Sequence, residues 1–189
     1  GPRGGRDLPF GTYAATAASD YTAVVSGTRL APATRHPYRV LVDGRAVPNP
    51  AEAAITTTPA ADARGITRIA FGADFHKTGL WNAGLLDRIR SRGNAAMLLL
   101  GDLAVDDRDN RVGLHRSDYL LRDLSPAWSS LAASTAVYAT WDDHDYFNND
   151  LSGMPGKFTT ADRAAVRAVW HQNWNNPGRD LTNCDRGIF

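Results

Sequence analysis

The sequence lacks most features that would place it in a specialised class of protein. Cysteine occurs once, at Cys184, so there is no intrachain disulfide framework and the redox compartment stays open. The formal net charge is only +1, which argues against a strong electrostatic footprint for nucleic acid or an anionic membrane. No apolar run is long enough to span a membrane, and no signal peptide is present. The 43% hydrophobic and 22% charged content indicates an ordinary globular chain.

The two ends of the sequence also lack the usual marks of a complete protein. The chain begins with Gly1 rather than an initiator methionine, and it stops abruptly at Phe189. Both ends resemble points of truncation, so a targeting segment could have been lost from this sequence. Its length of 189 residues allows one domain or one and a part, and the oligomeric state is left open.

Short alternating segments fill the first third of the chain. Residues 20–27, 38–44 and 54–58 each predict a strand, and the second closes on an Asp-Gly turn. Strands without intervening helices predict part of a β-sandwich. The run from Leu30 to Pro59 resembles the end of a fibronectin type III-like module. We therefore expect residues 1–62 to form a partial β-sandwich module and residues 63–189 to form a second domain.

From Ile66 onward, the pattern changes to alternating strands and helices, which is typical of an α/β fold. Strands are predicted at 66–71, 95–100 and 135–140, and helices follow each of them. Two helical faces are predicted from apolar spacing. The members of the first face are Trp81, Leu85, Leu86 and Ile89, and those of the second are Leu114, Leu120, Leu121 and Leu124. A capping box at Thr159 predicts the last helix.

Polar side chains follow each of the three predicted strands of the second domain. Asp74 and His76 come after the first strand, Asp102 comes after the second, and the dense run 142–150 comes after the third. Because the carboxyl ends of parallel strands lie at one edge of a sheet, these groups should converge. Oxygen and imidazole donors without thiolates suit Ca, Mn, Fe or Zn, so the sequence predicts a metal site. Two such ions can clamp a phosphate and activate water.

The order of these motifs resembles the calcineurin-like metallophosphoesterase superfamily. The run from Trp141 to Asp145, Trp-Asp-Asp-His-Asp, together with Asn149-Asp150, is similar to the signature of PhoD-like alkaline phosphatases. The resemblance implies a metallophosphatase-type sheet sandwich flanked by helices, of which residues 63–189 would be the N-terminal half. It also implies metal-dependent hydrolysis of phosphate mono- or diesters by a metal-activated water at a two-metal site.

The resemblance assigns a role to each candidate metal ligand. Asp102 would bridge two divalent or trivalent ions, whose identity is left open among Ca, Fe, Mn and Zn. Asp74 and His76 would bind the first ion, while Asp143 and Asn149 would serve the second.

His144 would be the catalytic and substrate-binding residue, contacting the phosphoryl group or protonating the leaving oxygen. A phosphate ester would be the substrate, and a secreted or periplasmic location is implied. The chain departs from the family where Asp74 stands in place of a cysteine and Val105 in place of a tyrosine. The family's later histidine ligands do not occur before Phe189, so only the N-terminal part of the site is expected, with poor activity alone.

Simpler interpretations of the same residues remain open. Asp74 and Asp102 also suit helix caps or turns, and His144 between two aspartates suits a salt-bridged surface histidine. The run 106–109 reads as a charged surface loop, and Arg163 with Arg167 reads as a solvated face. The alternatives to an enzyme are a non-catalytic fragment or binding module that retains a partial metal site, and a surface adhesion module.

Overall fold

Small antiparallel pairs precede residue 66 in the computed structural model, which describes residues 10–50, 52–154 and 156–177. The elements are a 3-10 helix at Ala17–Ser19, β1 (Arg35–Pro37), β2 (Leu41–Val42), β3 (Arg45–Ala46) and β4 (Ala54–Thr56). Strand β1 pairs with β4, and β2 pairs with β3. The predicted Asp-Gly turn is confirmed, since Asp43 and Gly44 connect β2 to β3 with φ values of 49° and 76°.

The strand predicted at residues 20–27 is wrong. The side chains of Thr16 and Ser19 form a capping box around the 3-10 helix instead. Asp20 and Tyr21 then take left-handed backbone conformations, with φ values of 54° and 55°, and this breaks an extended chain. The described part of this region holds two separate two-stranded sheets, so the fibronectin-like module and the boundary after residue 62 stay predictions.

The alternation of strands and helices after residue 66 is confirmed. The elements are β5 (Ile69–Gly72), α1 (His76–Leu80), α2 (Ala83–Ser91), β6 (Ala96–Leu99), α3 (Val112–Asp123), α4 (Pro126–Ala132), β7 (Ala136–Ala139), α5 (Asp143–Tyr146) and α6 (Thr160–Asn173). Strands β5, β6 and β7 form a parallel sheet in that order. The carboxyl ends of all three strands therefore lie at one edge, as the sequence predicted.

One face of this sheet carries the main core. Met97 and Leu99 of β6 and Ala139 of β7 are buried against residues of the helices. The core residues contributed by helices, loops and caps are Leu80, Leu86, Leu103, Tyr119, Trp128, Leu131, Val169, Trp170 and Trp174. Side chains of alternate residues point to the opposite face, where Phe71 is 75% exposed and Ile69 is 50% exposed.

The predicted apolar faces of the two middle helices are largely wrong. Trp81 lies between α1 and α2 and is exposed, so its spacing to later residues does not describe one helix. Leu86 is the buried residue of α2. On α3, Leu120 and Leu124 are exposed, because the helix turns its Tyr119 side toward the core.

The last helix is positioned largely as predicted. The Thr159 side chain accepts a hydrogen bond from the Asp162 backbone N–H, which confirms the capping box. Trp170 and Trp174 are buried in the core. Arg167 is only 3% exposed, so the prediction of a solvated arginine face is wrong there. The sequence of residues 187–189, Gly-Ile-Phe, also suggests the start of a strand, and it lies outside the described residues.

Within the described ranges, every helix is too short or too polar to cross a membrane.

Candidate metal centre

Three of the predicted site residues come together at the carboxyl edge of the parallel sheet. Asp102 follows β6, and Asp143 and His144 begin α5 just after β7. One ligand atom from each side chain lies within 4.8 Å of the others. Asp102 is buried and the other two are half-buried. Two carboxylates and an imidazole form a donor set that suits a hard or borderline divalent cation.

Gly101 allows the two strand ends to approach this closely. Its φ of 102° is a conformation that other residues rarely adopt. A Cβ atom at this position would lie 2.5 Å from the Asp142 Cβ and 2.6 Å from the Asp142 backbone nitrogen. The glycine therefore brings the end of β6 against the start of the segment that carries Asp143 and His144. Asp102 follows with a left-handed φ of 53°, a conformation that aspartate tolerates.

A buried carboxylate, Asp145, joins the same two segments. Its Oδ2 accepts hydrogen bonds from the backbone N–H groups of Asp102 at 2.6 Å and Asp142 at 3.2 Å. Its Oδ1 accepts a third from the Leu103 N–H at 3.3 Å. Burial raises the pKa of Asp145 to about 7, while these backbone hydrogen bonds act in the opposite direction. Asp145 thus fixes the backbone of Asp102, Leu103 and Asp142 in place. The sequence analysis missed this role, because a run of several aspartates does not show which carboxylate points into the protein.

The electrostatics of Asp102 fit a cation. The pKa of Asp102 is raised to about 6, mainly by burial and also by the nearby carboxylates of Asp143, Asp142 and Asp74, while His144 acts in the opposite direction. Asp102 Oδ1 is buried and has no hydrogen-bond partner among the described residues. A buried acceptor without a partner carries a desolvation cost, which a bound cation at this point would offset. The residues present therefore fit a metal ion.

The first turn of α5 holds the other two members of the group. Asp142 precedes the helix, and its Oδ1 accepts the Asp143 N–H at 3.0 Å. Asp143 accepts the His144 N–H at 3.0 Å through Oδ1 and the Asp150 N–H through Oδ2. His144 Nδ1 lies 3.6 Å from Asp107 Oδ1. These contacts orient the Asp143 side chain and place the His144 backbone in the first turn of α5.

The remaining predicted ligands lie outside the three-residue group. Asp74 follows β5 with a φ of 53°, and its charge acts on Asp102, so it lies at the same edge of the sheet. His76 begins α1 and is half-buried. Asn149 is exposed, and its side-chain amide donates to the Asp150 carboxylate at 2.7 Å.

The charged run after β6 is a surface loop that contacts the residues directly after α5. The Arg108 N–H donates to the Phe147 carbonyl at 3.0 Å. Asp109 and Asn148 exchange two hydrogen bonds, each of 2.7 Å. The buried Arg108 guanidinium contacts both carboxylate oxygens of Asp118 at 2.6 and 2.7 Å. The prediction of a charged surface loop at 106–109 is confirmed, since this run has no helix or strand and Asp106 and Asp107 are exposed, but the burial of the Arg108 side chain was not predicted.

Comparison with known proteins identifies the fold. No family model and no curated protein matches the chain. A solved structure described as "Structure of PhoD" superimposes on 70% of this chain with a TM-score of 0.52 and 18% sequence identity. The chain has a PhoD-like fold. It spans 30% of the length of that PhoD chain, and a likeness at this identity establishes the fold alone. This agrees with the expectation that only an N-terminal part of a PhoD-like protein is represented.

Proposed function

We propose that this chain contributes the first part of a two-metal site that hydrolyses phosphate mono- or diesters. One observation carries the proposal: Asp102, Asp143 and His144 converge within 4.8 Å at the carboxyl edge of a parallel sheet. Ligand sites in open α/β sheets occur at that edge, and the PhoD-like fold supports the same reaction class.

Each residue of the proposed site would have a separate task. Asp102 would bridge the two ions through its buried carboxylate, with Asp74 and His76 on one side. Asp143 and Asn149 would serve the second ion on the other. When bound, the ions would activate water and neutralise charge on the phosphoryl group.

His144 would act on the substrate from its place beside these ligands. Its imidazole would donate a hydrogen bond to a phosphoryl oxygen or a proton to the leaving oxygen. The half-buried position lets the ring contact a substrate while its backbone stays fixed in α5. The PhoD-like fold supports a secreted or periplasmic location, and this stays a prediction.

The first prediction tests Asp102 directly. Isothermal titration with Mn²⁺ should detect binding to the wild-type protein and none to Asp102→Ala. Hydrolysis of p-nitrophenyl phosphate and its bis ester, with Mn²⁺ or Ca²⁺ added, should fall by more than about a thousandfold in that variant. Asp87→Ala is the matched control, because Asp87 is an exposed aspartate on α2. Wild-type-like hydrolysis by Asp102→Ala would exclude the proposed function.

A second candidate function is supported by the short span of the chain. It covers 30% of the PhoD structure, and the cluster found among the described residues has three members. A non-catalytic module that retains one partial metal site would fit those facts. Mn²⁺ binding that depends on Asp102, without measurable hydrolysis, would favour this module over the enzyme.

A further inference from the structure

The buried side of the His144 ring faces a carboxylate that no motif predicted. His144 Nδ1 is inaccessible to solvent and has no partner within hydrogen-bond distance among the described residues. The Asp107 Oδ1 atom lies 3.6 Å away. A shift of about 0.5 Å would bring this contact within the usual range for a hydrogen bond from a ring N–H.

Two other carboxylates lie around the same small cavity as His144, but both are already engaged. Asp118 receives two hydrogen bonds from the Arg108 guanidinium, one on each oxygen. Asp145 receives three backbone hydrogen bonds over its two oxygens. Asp107 uses its Oδ1 for a single backbone N–H, that of Asn149 at 2.9 Å. It therefore has acceptor capacity left for the ring.

The position of Asp107 is fixed by its surroundings. The Asn149 N–H holds the Asp107 carboxylate from the α5 side of the site. The next residue, Arg108, is anchored by its backbone on Phe147 and by its buried side chain on Asp118. The Asp107 side chain is 59% exposed, but one hydrogen bond to its carboxylate and an anchored neighbouring residue restrict its freedom, which reduces the entropic cost of orienting the ring.

We propose that Asp107 is a positioning residue for His144. Its carboxylate accepts the Nδ1–H of the neutral imidazole. The lone pair of the ring is then on Nε2, which is free to face the candidate metal centre. Histidines in metal sites are oriented in this way by a hydrogen bond on the opposite ring nitrogen. Toward a metal, Nε2 would act through this lone pair; toward a phosphoryl or leaving oxygen, Nε2 would first take up a proton and then donate it, while Asp107 keeps hold of Nδ1–H. Both uses of Nε2 rest on the proposed function, whereas the Nδ1–H tautomer does not.

The test is a two-bond proton–nitrogen NMR correlation of the metal-free protein, labelled with ¹⁵N. Spectra are recorded about two pH units above the ordinary imidazole pKa of about 6.5, so that free imidazoles are neutral. Assignment uses a His144→Gln variant. The wild-type protein should show the Nδ1–H tautomer of His144, and Asp107→Ala should shift its population toward Nε2–H.

Two further variants separate positioning from general disruption of the loop. Asp107→Asn keeps an acceptor oxygen and should restore the Nδ1–H tautomer. Asp106→Ala removes the neighbouring exposed carboxylate, which pairs with Lys77 and Arg108, and should leave the tautomer unchanged.

An Nε2–H tautomer in the wild-type protein, or an unchanged tautomer in Asp107→Ala, would overturn the positioning role. The proposed function is contradicted by a different result. If the protein neither binds Mn²⁺ nor hydrolyses the esters, the proposed function is wrong, while a tautomer that depends on Asp107 would still support the positioning role.

Discussion

His115 is a buried histidine on α3 whose protonation the fold opposes. The side chain is only 4% exposed, and burial lowers its pKa, while a hydrogen bond to the Asp109 backbone and the charge of Asp118 act in the opposite direction. Its Nε2 has no partner among the described residues, so Nδ1 makes the backbone contact. At the residue scale, this group links the stability of the fold to pH.

We therefore expect His115 to lower stability as the pH falls below the ordinary imidazole value of 6.5. The unfolded chain takes up a proton there more readily than the folded protein, so the free energy of unfolding decreases. His115→Asn keeps a donor near Nδ1 but does not titrate. Urea unfolding at about pH 7.5 and about pH 5.5 should show a destabilisation of the variant that shrinks at the lower pH. A constant difference between the two proteins would contradict this prediction.

Arg122 joins two helices at the scale of the element. Its guanidinium lies over the rings of Tyr119, Trp128 and Trp174, with distances of 5.3, 5.9 and 4.5 Å to the ring centroids. It also donates to the Asn173 carbonyl at the end of α6 at 3.1 Å. A planar cation that stacks on aromatic faces and bonds at its edges is suited to this position, and an ammonium group is not.

Arg122→Lys should therefore destabilise the protein by about 1–3 kcal/mol, because stacking and directed hydrogen bonds are lost together. Arg111→Lys is the matched control, since Arg111 directly precedes the same helix and its side chain is 58% exposed. The control should change stability by less than about 0.5 kcal/mol in denaturant unfolding. Equal effects of the two substitutions would show that the contacts of Arg122 with the three aromatic rings contribute nothing to stability.

The whole molecule leaves one face of its parallel sheet open in the part that the structure describes. Parallel sheets are ordinarily covered on both faces. Here Met97 is 1% exposed on the packed face, while Phe71, on the other face, is 75% exposed. The two faces of one sheet should consequently respond differently to loss of an apolar side chain.

Met97→Ala should cost about 2–5 kcal/mol, because it creates a cavity in the core. Phe71→Thr removes a larger side chain but should change the free energy of unfolding by less than about 1 kcal/mol, since little buried area is lost. Denaturant unfolding of both variants measures the contrast. A loss in Phe71→Thr comparable to that in Met97→Ala would show that the second face is covered in solution.

Part of the fold and of the site followed from sequence because local chemistry carried the signal. The strands of the parallel sheet were predicted from short apolar runs, and Thr159 marked a helix start. Asp102, Asp143 and His144 followed strands whose carboxyl ends meet in any parallel sheet. The left-handed turn at Gly101 also agrees with its residue type. Periodicity, strand-end position and turn chemistry each depend on neighbouring residues alone.

Only the tertiary structure decided which polar groups turn inward. Asp145 resembles its neighbours in sequence, yet packing makes it the buried acceptor of three backbone N–H groups. Arg122 and His115 are buried on α3 in place of the leucines that the helical pattern favoured, because aromatic rings and a backbone partner elsewhere in the chain receive them. Burial of a polar side chain depends on partners that are distant in sequence, and these come together only when the chain has folded.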